Sequence, residues 1–155
     1  MKKKIKKYLS GEREGFSLIE LIIVIAIMAI LIGVIALVVL PYLESARESR
    51  DRQTLSEVSN AFKSAMANET VANGIGDTYD DYAKPADPLL KKMNSYMDGT
   101  VETAEGKLAS KACKGKEFRV KATKDADGKW TMSACIADKS SGAIAVDSEN
   151  KNYEQ

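Results

Sequence analysis

Histidine is missing from this chain of 155 residues, and with it the commonest general base and metal ligand near neutral pH. The sequence has no nucleophile elbow, no phosphate-cradling loop and no cysteine spacing suited to zinc. Gly74-Ile75-Gly76 is an isolated loop signal, not a dinucleotide fingerprint. Enzyme chemistry is therefore not expected, and neither is a cofactor or a resident metal. Beyond the first fifteen residues no basic block occurs, so the composition carries no nucleic-acid footprint. Proline is scarce as well, confined to Pro41, Pro85 and Pro88.

What the chain does have is a long apolar run. Residues 21–40 contain no charged side chain. As a helix rising ~1.5 Å per residue, such a run crosses the ~30 Å hydrocarbon core of a bilayer. Glu20 stands at its mouth. A carboxylate in or near a bilayer is unfavourable, by up to ~3 kcal/mol at the helix centre, so its partner is a functional question.

The residues before the run are polar and basic. Lys2, Lys3, Lys4, Lys6, Lys7 and Arg13 oppose only Glu12 and Glu14, giving this leader +4; the chain total of +1 leaves −3 for the remainder. The flank after the run is balanced, with Arg47, Arg50 and Arg52 against Glu44, Glu48 and Asp51. By the positive-inside rule the N-terminus stays cytoplasmic and the C-terminal part lies outside. No small-residue cleavage site follows Leu40, where Pro41, Tyr42 and Leu43 come instead. The abrupt change from polar to apolar falls at Gly15 and Phe16.

The string Gly15-Phe16-Ser17-Leu18-Ile19-Glu20-Leu21, with a basic leader before it and the apolar run after it, resembles the prepilin signature of type IV pilins and of the pseudopilins of type II secretion and competence systems. The likeness covers residues 10–55. It implies that a prepilin peptidase cuts between Gly15 and Phe16 and methylates the new amine of Phe16. It implies that the mature chain waits in membrane lipid as a helical anchor. An inner-membrane assembly platform and its ATPase would then draw it into a homopolymeric filament. There the Glu20 carboxylate would pair with the amine of a neighbouring subunit. Removing one member of such a buried pair costs ~3–5 kcal/mol, so Glu20 would set register as well as affinity. Related filaments melt the helix between a glycine and a proline; here Gly33 and Pro41 are the candidates for a helix break. Both lie later than is common, and Ala29 occupies the usual glycine place. Helix packing is the competing role for Gly33, and a kink at the membrane exit the safer expectation for Pro41.

The expected organisation is a leader at 1–15, a transmembrane and filament-core helix at 16–43, an amphipathic continuation at 44–68, and a globular head at 69–155. The fold class is α+β: a long N-terminal helix packed on a small C-terminal antiparallel sheet. Leu55, Val58, Phe62, Ala65 and Met66 recur at spacings of three and four, one apolar stripe that should pack on the sheet. Residues 69–99 read as loop-rich, with a short helix at 88–97 capped by Asp87. Phe118, Val120 and Ala122, and then Trp130, Met132, Ala134 and Ile136, alternate with polar neighbours as half-buried strands. Asp127-Gly128 between them signals a hairpin. A third strand is expected at 143–146, and a weaker one at 100–104.

Cys113 and Cys135 form an even pair in an outward-facing domain, which reads as a disulfide. Closing a loop of that length is worth ~3 kcal/mol in the chain-entropy model; the alternative is two free thiols in a reducing niche. Asp77, Asp80 and Asp81 read as a solvated loop. Asp125-x-Asp127-Gly128 resembles the start of a calcium loop but lacks its later ligands. Three roles remain: a surface pilus subunit, a pseudopilin, or a signal-anchored monomeric sensor or adhesin.

Overall fold

The computed structural model describes residues 16–75, 79 and 81–148. The leader, Gly15 included, lies outside the described residues, as do Asp77 and Asp80. The chain divides into two compact units between Pro41 and Tyr42.

Helix α1 runs from Leu18–Met66, 49 residues, and belongs to both units. Its first part is rich in isoleucine and valine, which in water favour strands. In a bilayer the backbone has no water to bond and must satisfy itself, so a lone apolar segment is helical. In the single subunit α1 is continuous through Gly33 and Pro41, the candidates for a helix break in a filament. An interior proline removes one hydrogen bond and costs ~3 kcal/mol, a loss that long helical stretches on both sides absorb. At Gly33 an added Cβ would meet no atom within 4 Å, so nothing in the subunit requires the glycine.

In the second unit α1 turns amphipathic. Asp51, Leu55, Val58, Ser59, Ala61, Phe62, Ala65 and Met66 are buried. The expected stripe is therefore present and begins one turn earlier, at Asp51. The helix stops at Met66. Helix α2 (Glu69–Ile75) follows at once in what the sequence suggested was loop. Asn68 Oδ1 accepts the Thr70 N–H at 3.2 Å, and Val71 and Ile75 turn inward at a spacing of four. Helix α3 (Leu89–Asn94) lies inside the expected 88–97, but its cap position is Pro88 and no side chain caps it. Asp87 instead pairs with Lys91 at 2.8 Å. Where a weak strand was expected, helix α4 (Val101–Gly106) forms. Thr100 Oγ1 accepts the Thr103 N–H at 3.1 Å, and the cap outweighs the β-branched start.

The sheet is antiparallel, in the order β1-β2-β3, with β1 at Glu117–Lys124, β2 at Trp130–Ala137 and β3 at Ile144–Asp147. The hairpin between β1 and β2 turns at Gly128, whose φ of +80° suits glycine. Phe118 stands opposite Ile136, Val120 opposite Ala134, and Ile136 opposite Val146. These side chains share one core cluster with Val58, Phe62 and Ala65 of α1. The outer part of the long helix is thus packed on a small three-stranded sheet, an α+β arrangement.

Candidate processing and assembly segment

Phe16 is 90 % exposed at the start of the described chain. Ser17 precedes α1, and its carbonyl accepts the N–H groups of Glu20 and Leu21 at 3.0 and 3.2 Å. The Glu20 carboxylate folds back: its Oε2 accepts the Ser17 N–H at 2.8 Å. This is the glutamate half of a capping box, which fills one of the amides a helix start leaves unpaired. The carboxylate also sits where the helix dipole is positive. Sequence reasoning missed this role, although Ser17-x-x-Glu20 is its signature. Glu20 is thus anchored within its own chain. Its acidic head lies beside the residue that would bear a new α-amine.

Behind Glu20 the surface is apolar all round. Every large apolar side chain from Leu18 to Leu43 is exposed, Leu18 to 74 % and Leu37 to 79 %. The helix is long and apolar enough to cross a membrane. A helix uncovered on every face needs lipid or other helices around it.

The two cysteines do not bear out the expected disulfide: Cys113 and Cys135 are both free and both buried. The sheet separates them. Cys113 belongs to the core cluster facing α1. Cys135 alternates with Ala134 and Ile136 of that cluster and so faces the other way. Burial pushes the Cys113 thiol up, and burial first, then the Asp147 charge, takes Cys135 up to about 12. Neither is poised as a nucleophile at neutral pH.

The acidic groups have structural work. Asp125 Oδ1 accepts the Lys129 N–H at 2.7 Å across the hairpin turn. Asp81 Oδ1 accepts the Tyr82 N–H at 2.7 Å. No cluster of three potential metal ligands occurs among the described residues. Two other carboxylates, which the sequence showed only as part of a balanced flank, hold the segment after α4 onto α1. Asp51, fully buried, accepts the Ala109 and Ser110 N–H groups at 3.0 and 2.9 Å, and Glu44 accepts the Lys111 N–H. On the far face of the sheet the Tyr82 hydroxyl donates to Asp147 and lies 3.1 Å from Ser133 Oγ. Burial, then the Asp147 hydrogen bond, pushes the Tyr82 phenol upward.

Residues 12–40 match the family model of the prokaryotic N-terminal methylation motif, the signature of type IV pilins and pseudopilins. No curated protein and no solved structure matches the chain.

Proposed function

We propose that this chain, which its methylation motif indicates to be of the type IV pilin or pseudopilin family, is a structural subunit of a type IV pilus. The observation that carries the reading is the coincidence, at the start of one apolar helix, of the motif, the exposed Phe16 and the Glu20 carboxylate. A prepilin peptidase cuts between Gly15 and Phe16 and one methyl is added to the freed amine. The precursor spans the cytoplasmic membrane with its N-terminus inside and its head outside. An assembly platform and ATPase then extract it into a surface filament. No step calls for catalysis by the chain itself.

The physics of the span supports this order. In lipid, helices gain nothing from hiding apolar surface from one another, so the subunit is content as a monomer. Drawn into water, the same surface is stabilised by burial at ~25 cal/mol per Å², so extracted subunits hold together by covering one another. Polar contacts then fix the register. The Glu20 oxygens lie at the positive helix end, beside the cleaved terminus of the chain. An incoming α-amine from a neighbour completes a charge pair that is strong only while both members are present.

Mass spectrometry of sheared surface filaments from the native host tests the reading. The expected result is an abundant chain starting at Phe16 with one added methyl. The same processed chain retained in the envelope assigns it to a pseudopilus instead. A chain still starting at Met1, in cells with active peptidase, overturns both and leaves a plain membrane anchor.

A further inference from the structure

The second unit begins at Tyr42, and the segment after α4 is tied to that beginning. Glu44 accepts the Lys111 N–H, and two turns later Asp51 accepts those of Ala109 and Ser110. The tie creates a groove lined by Glu44, Arg47, Lys107, Lys111 and Lys114 with the backbone between them. Four cations thus face one carboxylate. That carboxylate is already engaged, since Arg47 pairs with it at 3.3 Å. Lys107, Lys111 and Lys114 are exposed and make no ion pair among the described residues. The buried Asp51 anchors this segment: its bonds to the Ala109 and Ser110 amides hold the backbone that carries the three lysines against the start of the unit.

We propose that this groove binds the anionic headgroups of phospholipids in the outer leaflet of the membrane that holds the span, seating the head on the bilayer before assembly. The inference rests on reading residues 16–40 as a membrane span. Three observations select lipid as the occupant. The net charge of the groove is positive and multivalent, four cations against the one carboxylate of Glu44. The groove includes Arg47, seven residues beyond the end of the apolar run at Leu40, so the span itself delivers it to the headgroup layer. Tyr42, at the same end, is 76 % exposed, and tyrosine is a residue that membrane interfaces favour. A tether of this kind raises the effective concentration of headgroups at the groove, so weak individual contacts suffice. The pairing also gives extraction a defined first event, release of the head from the leaflet.

The test uses the full chain in lipid nanodiscs, either of phosphatidylcholine or rich in phosphatidylglycerol, neither lipid carrying a primary amine. Lysines are acetylated with an impermeant reagent, and the rates at Lys107, Lys111 and Lys114 are compared with that at Lys139, an exposed turn lysine. The expected result is a rate ratio lower on the order of fivefold in the anionic discs, restored by high salt as screening requires. A ratio equal in the two discs overturns the proposal. So does protection that depends on the number of chains per disc rather than on lipid charge, which assigns the groove to a second copy. Failure of the chain to enter either disc overturns the span reading instead, and the two failures are therefore distinguishable.

Discussion

Between Leu18 and Pro41 the long helix has apolar side chains on every face, all of them exposed, while beyond Tyr42 the same helix carries one buried face and one wet one. Among the described residues the inner stretch buries no side chain that would define a face, so its sequence need satisfy only length and hydropathy. The outer stretch must meet a sheet, and there the residues obey spacing: Asp51, Leu55, Val58, Phe62 and Ala65 succeed one another at intervals of four and three. A single element thus serves two surroundings, and the polar residues mark where each begins. Glu20 caps the first, and Glu44 and Asp51 fasten the second to its head.

Substitutions should separate the two stretches. The largest effect is expected for Glu20→Ala. Surface filaments are lost, while the processed chain remains in the membrane fraction, as immunoblots of sheared and membrane material would read out. Filaments in normal amount from that variant would remove Glu20 from assembly. On the outer stretch, Phe62→Ala should lower the unfolding free energy of the head by ~3–5 kcal/mol. Asp51→Ala should lower it by ~3 kcal/mol, because two amides lose a charged acceptor. Urea titration of the full chain in mild detergent, followed by Trp130 fluorescence, measures both. Neither change should alter membrane insertion.

A smaller effect concerns pH. The Cys135 thiol ionises at about 12 in the folded chain against 9.0 ordinarily. Above pH 9 the unfolded state gives up that proton first and so binds fewer protons than the folded one. Stability is therefore full below 9 and falls as pH rises toward about 12. Tyr82, also raised, adds a loss of the same sign above its ordinary value of 10.0. Cys135→Ala should flatten the alkaline fall of the unfolding midpoint, and Tyr82→Phe should flatten what remains. Reductant at neutral pH should leave the midpoint unchanged, since no disulfide joins the cysteines; a drop on reduction would show that a bridge forms after all.

The smallest expected change is at Gly33. With open space around its Cα, Gly33→Ala should favour the helix by ~1 kcal/mol or less and leave the precursor in the membrane as before. If assembly nonetheless fails, electron microscopy of the cells would show it, and the glycine would be where a neighbouring helix approaches closely.

Most of the architecture was legible because it rests on local periodicity. The α1 stripe, the alternation in β1 and β2 and the Asp127-Gly128 turn each lie within a few residues and need no distant partner to be read. Errors fell where a cap or a context decided between close alternatives. Asn68 and Thr100 start short helices in segments read as loop and strand, because one side-chain oxygen there satisfies an amide. Of the candidate site, Glu20 was visible as a charge out of place, but its bond to Ser17 was not inferred.

The sequence by itself determined a helix long and apolar enough to cross a membrane, the methylation motif and the class of fold, since apolar length, motif and periodicity are properties of the chain alone. Only the tertiary structure decided that Cys113 and Cys135 lie on opposite faces of a sheet. It alone paired Asp51 with amides 58 and 59 residues away and Tyr82 with Asp147, 65 residues on. Such pairings depend on which surfaces the packed core brings together, and no local spacing encodes that.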